Sequence, residues 1–285
     1  MSGAGAGPSA ASRASAPPAE VTSEPRTLAP PSRRIAAVTA NEAVGAYRLI
    51  SAFDAGGPAD PRPGQFYMLA AAERWGGGGD ERPYLPRAFS YARARAREGG
   101  VELSFLLEAI GPGTERLAEL EPGEGLALVG PLGIGFREPP EGHRPLLVGG
   151  GIGVAPMLCL AEQGGEADVV LGFRSAEFAE AARLFAGEPE IATDDGSAGR
   201  HALVTELMRE RLEDEPATAV FACGPPPMLD AVRMLCASHR VPGQLALESG
   251  MACGFGACFG CVVPTRDGYI RLCVDGPVLD ADVLT

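Results

Sequence analysis

The chain has 285 residues, a formal net charge of −13, 46% hydrophobic and 21% charged residues. That length holds two ordinary domains plus a small appendage, and the composition can bury a core. The acidic balance argues against nucleic acid, whose phosphates are met by cations. No apolar run of about eighteen residues is present to span a membrane, and the acidic surface reads as a solubility feature of a cytoplasmic protein.

Residues 1–33 are rich in Ala, Pro and Ser. They lack the continuous apolar stretch of a signal peptide and are expected to form a disordered tail, or to follow from a mis-called start codon. From residue 34 the pattern turns strand-like. Short apolar runs at 47–53, 65–70, 87–92, 101–110 and 126–129 are separated by turns such as Glu98-Gly99-Gly100 and Glu121-Pro122-Gly123, with one helical stretch at 114–120. Closely spaced strands with turn signals predict a small antiparallel β-barrel over 34–140. Trp75–Asp80 is a glycine-rich loop.

The character changes near Pro145. Leu146-Leu147-Val148 is a short buried strand that runs into Gly149-Gly150-Gly151. A helix from Pro156, strands at 168–173 and 217–222 and a helix at 227–238 follow. Alternating strands and helices predict an α/β domain with a parallel sheet over 141–240. The segment 241–285 is too small and too rich in Cys and Gly to fold without a metal centre.

Four motifs carry chemistry. The strongest is Cys253, Cys258, Cys261 and Cys273, spaced C-x4-C-x2-C-x11-C, which matches the plant-type [2Fe–2S] pattern. Gly254, Gly256 and Gly260 free the backbone to wrap a cluster closely. A zinc site usually pairs two C-x2-C knuckles, and only Cys258 and Cys261 form one here; four buried thiols are the plainer alternative. Three further cysteines and the absence of an export signal fit redox duty better than a disulfide framework.

The second motif is Arg87-Ala88-Phe89-Ser90 on a barrel strand, with Gly113-Thr114 opening a helix about two dozen residues later. A guanidinium forks onto phosphate oxygens, and a helix start offers free N–H donors, so the two together suit a pyrophosphate; alone, the Arg motif is an ordinary surface strand. The third is the loop at 149–156, including Gly150, Gly151, Gly153 and Pro156, between a strand and a helix where dinucleotide pyrophosphates bind. A lone glycine loop is also a plain tight turn, and Arg174, after the next strand, stands where many NAD sites carry an acid. The fourth is Cys223-Gly224-Pro225 at the end of a parallel strand, lining the ligand crevice, although a free Cys is more often a small buried hydrophobe. His143, His201 and His239 form no motif with a nucleophile or paired acid.

In this order the motifs resemble the ferredoxin–NADP reductase superfamily, and the terminal cysteines narrow the resemblance to the electron-transfer subunits of the dihydroorotate dehydrogenase B type. It covers residues 34–285. It implies a flavin-binding barrel, a nicotinamide-binding α/β domain and a C-terminal [2Fe–2S] segment. Arg87, Ala88, Phe89, Ser90, Gly113 and Thr114 would then hold FAD, with Leu106, Leu107 and Glu108 passing beside it. Gly150, Gly151, Gly153, Pro156, Cys223, Gly224 and Pro225 would frame NAD, and the four cysteines would ligate the cluster. The resemblance further implies an FMN-containing dihydroorotate dehydrogenase catalytic subunit as partner, in a heterotetramer of two of each, serving pyrimidine biosynthesis. Ala88 departs from the family, which often has Pro there, and Glu108 from a common basic residue. A reductase subunit of a sulfite reductase, sulfhydrogenase or transhydrogenase-type complex is the alternative within the superfamily. A redox-sensing regulatory protein is the alternative outside it.

Overall fold

The computed structural model describes residues 33–77, 82–215 and 217–285. The expected tail, apart from Arg33, and residues 78–80 of the glycine-rich loop lie outside them. The first part of the chain forms β1 (Arg34–Val44), β2 (Tyr47–Ala55), β3 (Phe66–Ala71), the short pair β4 (Gly76–Gly77) and β5 (Arg82–Pro83), β6 (Arg87–Ser90), β7 (Arg93–Arg97), β8 (Gly100–Leu107), α1 (Pro112–Ala118) and β9 (Gly125–Leu132). Seven of these strands make one antiparallel sheet in the order β6-β3-β9-β1-β2-β8-β7. No ladder joins β6 to β7 among the described residues, so the sheet is a half-barrel with two edges.

Its concave side is filled by Tyr67, Tyr91 and Phe105, all fully buried. Tyr67 meets the other two rings edge-on at centroid distances of 6.1 and 5.6 Å, a favoured arrangement of aromatic quadrupoles. A polar device sits in the same sheet. Asp54 is wholly buried and accepts from Arg34 Nη2 at 2.8 Å, while the same nitrogen donates to the Gly130 carbonyl at 2.7 Å. The pair thus ties β1 to both β2 and β9. Gly57 is required beside it, because a Cβ there would lie 2.2 Å from Asp54 Oδ2.

The second part forms β10 (Arg144–Gly150), α2 (Val154–Gln163), β11 (Asp168–Phe173), α3 (Ala176–Ala179), β12 (Glu190–Thr193), β13 (Arg200–His201), α4 (Val204–Asp214), β14 (Thr218–Cys223), α5 (Pro226–His239) and β15 (Gly243–Ala246). After it come the hairpin β16 (Val262–Thr265) and β17 (Gly268–Arg271), then α6 (Leu272–Asp275) and β18 (Val278–Asp280). The second sheet has the order β13-β12-β11-β10-β14-β15-β18, parallel except for its last strand. Its central strands are continuous apolar runs buried on both faces, as a covered parallel sheet requires; every residue of β14 is buried. Because β15 and β18 pair into this sheet, the segment 241–285 supplies two strands of the α/β layer as well as the cysteine loop.

The two domains share a core. Tyr47, Leu49, Ala92 and Leu106 of the half-barrel pack with Leu147, Met157, Phe173 and Phe221 of the α/β domain. Among the described residues no helix is long and apolar enough to cross a membrane. The strand order turns back on itself at β10 and β14, which makes their carboxyl ends the topological switch point where ligands of open α/β sheets bind.

Candidate functional site

The two halves of the flavin-type motif, Arg87 and Gly113, meet in the structure. β6 pairs with β3, and its four residues are half-buried. The Arg87 guanidinium lies against Gly113, where a Cβ would come within 2.8 Å of Nη2 and 3.0 Å of Cζ. Glycine thus lets α1 start in direct contact with this guanidinium, whose Nη1 also donates to the Leu85 carbonyl. The helix expected over 114–120 begins at Pro112, which lacks an N–H and suits a first turn. The Thr114 hydroxyl accepts from the N–H groups of Ile110 (3.0 Å) and Gly111 (3.1 Å) and donates to the Gly111 carbonyl (3.0 Å). It shapes the turn, so an anion would be met by the backbone of the first turn rather than by this hydroxyl.

Strand alternation separates Leu106 from Leu107. Leu106 faces the α/β domain and lines a cleft, whereas Leu107 turns into the half-barrel core and presents no side chain to a ligand. Glu108 follows and is drawn away from the cleft: its Oε1 accepts from Arg174 Nη2 at 2.7 Å across the domain seam.

The two nicotinamide-type motifs are pressed together. β10 passes into a single 3-10 turn over Gly151–Gly153 and then into α2, so Pro156 is the third helical residue. A Cβ on Gly153 would lie 2.4 Å from the Cys223 carbonyl oxygen and 2.7 Å from the Gly224 nitrogen, and one on Gly150 would lie 2.3 Å from Met228 Sδ. Gly151 has φ +55, a left-handed conformation that favours glycine. Pro225 caps the start of α5. Cys223 is buried at the end of β14, and its thiol is pushed well up by desolvation and by the nearby Glu248 charge.

All three parts of the chain meet at one cleft of about 190 Å³. Phe66, Ala88, Phe89, Ser90 and Leu106 come from the half-barrel, and Ile152, Ala155 and Pro156 from the glycine loop. Leu247, Glu248, Ser249, Met251 and Pro277 come from the terminal segment. The cleft is smaller than the roughly 300–1,000 Å³ of pockets that enclose a drug-sized molecule, so it can take a ring system and leave phosphates to the Arg87–Gly113 surface. A larger cavity of about 570 Å³ opens at the opposite end of the sheet, lined by residues such as Arg62, Pro139, Leu160 and Gln163. None of the residues expected from the sequence lines it, whereas Ala88, Phe89, Ser90, Leu106 and Pro156 all line the smaller cleft.

Glu248 is not among the site residues expected from the sequence. Burial pushes its carboxyl above the usual carboxylate range. The one signal for it in the sequence is an acid set directly after the apolar run Leu245-Ala246-Leu247, where a solvated charge would not be expected.

The cysteine loop is shaped by left-handed backbone at Gly254 (φ +80), Phe259 (φ +57) and Gly256 (φ +86). Gly254 also has no room for a side chain, since a Cβ would lie 2.5 Å from Met68 Cγ. Cys261 and Cys273 are buried, Cys253 is half-buried and Cys258 is exposed. Backbone donors point at the sulfurs: Gly260 N–H to Cys258 Sγ at 3.4 Å and Cys273 N–H to Cys261 Sγ at 3.5 Å. Desolvation opposes ionisation of Cys253, but the N–H groups of Cys258, Phe255 and Ala257 and the Cys258 thiol outweigh it and hold the Cys253 thiol below its ordinary value. Desolvation and the neighbouring Cys261 push Cys273 up.

Cys253 is in side-chain contact with Cys258 and Cys273 with Cys261, and Cys253 also bears on Cys273, so all four thiols face a common region. Among the described residues no three Cys, His, Asp or Glu side chains are grouped to hold one metal ion. Four thiols with backbone donors aimed at their sulfurs, in the spacing C-x4-C-x2-C-x11-C, fit a [2Fe–2S] cluster held by four thiolates. The Arg87–Gly113 contact and the three-sided cleft likewise fit a flavin dinucleotide.

Comparison with known proteins agrees. The family model for the iron–sulfur cluster binding domain of dihydroorotate dehydrogenase B matches residues 248–285. The dihydroorotate dehydrogenase B (NAD(+)) electron transfer subunit of Caldanaerobacter subterraneus subsp. tengcongensis is 36% identical over 228 residues, covering 78% of this chain and 86% of that protein. The subunit of the same name from Bacillus caldolyticus is 40% identical over 235 residues, covering 77% and 85%. Among solved structures, an NADH-dependent reduced ferredoxin–NADP oxidoreductase shares the fold, with a TM-score of 0.72, 23% identity and coverage of 88% of this chain and 90% of that one. The chain belongs to the family of dihydroorotate dehydrogenase B electron-transfer subunits, flavin and iron–sulfur oxidoreductases that work with FAD, a [2Fe–2S] cluster and NAD.

Proposed function

We propose that this chain carries electrons from the FMN of a dihydroorotate-oxidising partner subunit to NAD⁺, as a cytoplasmic step of pyrimidine biosynthesis and within a heterotetramer of two of each subunit. When bound, the cluster takes up electrons singly and FAD hands them on in pairs, as a hydride, to NAD⁺. The observation that carries this reading is the single cleft to which Ser90, Pro156 and Glu248 contribute from the half-barrel, the glycine loop and the terminal segment.

The residues divide the work as follows. Residues 34–140 hold FAD, with Arg87 and the N–H groups at Gly113 and Thr114 on the pyrophosphate and Ala88, Phe89, Ser90 and Leu106 around the ring system. Residues 141–240 bind NAD: Gly150, Gly151 and Gly153 leave the backbone bare before Pro156, and Cys223, Gly224 and Pro225 pack directly against that loop. Leu107 supports the flavin site from the half-barrel core. Residues 241–285 present Cys253, Cys258, Cys261 and Cys273 to the cluster. Exposed Phe255, Phe259 and Tyr269 lie on the cysteine loop and its hairpin, and an apolar patch of this kind beside exposed Cys258 suits a docked partner.

The test is reconstitution. The holoprotein alone should bleach its flavin with NADH yet leave dihydroorotate untouched, because the cleft presents no general acid–base pair for a carbon acid among the described residues. Adding the FMN partner should give dihydroorotate-dependent NAD⁺ reduction. Oxidation of dihydroorotate by this chain without a partner would overturn the proposal, as would co-purification with a sulfur-reducing catalytic subunit.

A further inference from the structure

The residue after the second strand of a dinucleotide-binding fold faces the adenosine ribose. An acid there accepts from the 2′-hydroxyl of NAD, and an arginine nearby accommodates the 2′-phosphate of NADP. β11 is the parallel neighbour of β10, with Gly172 in register with Gly150. Arg174 therefore follows at the carboxyl end of β11, on the same rim as the glycine loop. On residue type alone this chain would take NADP.

The surroundings of Arg174 point the other way. Its guanidinium lies 4.0 Å above the Phe178 ring, and Phe178 meets Tyr47 of the half-barrel edge-on at 5.4 Å. Its Nη2 donates to Glu108 Oε1 at 2.7 Å. The seam between the domains is tightly set here: the Ala46 N–H donates to the Glu177 carbonyl, and a Cβ on Gly45 would lie 1.9 Å from that oxygen. Glu108 and Arg174 are thus held together by the packing of two domains, although the arginine side chain itself is 63% exposed.

We propose that Glu108, reaching over from the flavin domain, selects NAD(H) against NADP(H) by occupying the guanidinium that a 2′-phosphate would otherwise take. The carboxylate repels the phosphate dianion. It also stands in for the acid that β11 lacks, as an acceptor for the ribose 2′-hydroxyl. Glu177 on α3 adds to the negative field, whereas the charge of Glu180 beside it is offset by Arg183. The inference rests on the nicotinamide site proposed above.

The test uses the FAD-loaded full chain, with ferricyanide as acceptor, and compares kcat/KM for NADPH and NADH per bound flavin. Glu108→Gln should raise the NADPH-to-NADH ratio roughly tenfold, a change of the order of one charge-assisted hydrogen bond. Glu108→Gln combined with Arg174→Ala should remove that gain. The ratio is insensitive to any general loss of flavin affinity that a substitution at Glu108 brings. A ratio unmoved in the single variant overturns the proposal, and so does a gain that survives in the double variant. Failure of the wild type to oxidise either nucleotide would bring down the nicotinamide site itself and this inference with it.

Discussion

The half-barrel and the cysteine loop solve opposite problems. The half-barrel buries rings and aliphatic side chains across seven strands, with Tyr67, Leu103, Phe105 and Leu107 at 0% exposure, and the burial of each such side chain is worth about 1.5–3 kcal/mol. The cysteine loop rests on a small cluster in which Cys261, Leu272 and Cys273 meet Phe66 and Met68, while Phe255 (52%) and Phe259 (63%) are left out in solvent. One region is held by its core. The other is held by left-handed backbone turns and, on the proposed ligation, by four thiolate–iron bonds in the holoprotein. The two can therefore be broken separately.

The largest effect is expected at the cluster. Replacement of Cys258 by Ser should abolish the visible absorption of the cluster and all electron exchange with the partner, while FAD stays bound and is still reduced by NADH. Iron analysis of the wild type should give about two irons per chain, as the cysteine spacing requires; four irons or a stoichiometric zinc would contradict the assignment. The half-barrel should break at Arg34. Removing it strands Asp54 as a buried, unpaired charge, and Arg34→Ala should cost about 3–5 kcal/mol in chemical denaturation. Urea midpoints equal to wild type would show that the pair is idle.

These regions are also unequally legible in the sequence. The cysteine spacing announces itself because thiolate ligation is local chemistry. The strands at β10, β11 and β14 are readable because parallel strands buried on both faces are continuous apolar runs. β1 is not: Ala-rich and broken by Asn41 and Glu42, it forms through pairing with β2 and β9. β7, Arg-Ala-Arg-Ala-Arg, is an edge strand: Arg95 and Arg97 face solvent, as charges on edge strands tend to, while Arg93 pairs with Glu162 of the α/β domain. The helix α4 does leave a trace, since buried Val204, Leu207, Met208 and Leu212 recur at helical spacing, but it stands outside the helices expected from the motifs. Joining of β15 and β18 to the α/β sheet, and the Glu108–Arg174 contact across 66 positions, depend on long-range packing that no local pattern encodes.

A smaller effect separates flavin affinity from cluster content. Arg87→Ala should lower FAD affinity by one to two decades, since a hydrogen bond to a charged group is worth about 1.5–3 kcal/mol, and should leave the iron content unchanged. Flavin retained through gel filtration and dialysis as well as in wild type would remove Arg87 from the pyrophosphate. The variant would then show that the bare backbone at Gly113 and Thr114 suffices.

The smallest effect is expected at Glu248, where the terminal segment reaches into the cleft. Burial raises its carboxyl above the ordinary carboxylate range, so on acidification it takes up its proton earlier than a solvent-exposed glutamate would. Ionised, it places a negative charge in the cleft where the nicotinamide ring becomes cationic as hydride leaves NADH, and fixed charge of that sign favours the transfer. The rate of flavin bleaching by NADH should therefore fall as pH drops through the raised value, by up to about tenfold. Glu248→Gln keeps the shape of the side chain and cannot ionise, so its rate should match the acid limb of the wild type and stay flat over the same interval. Stopped-flow traces at a series of pH values, taken per bound FAD, read this directly. A wild-type profile without that step, or a Gln variant that retains it, would assign Glu248 to packing alone.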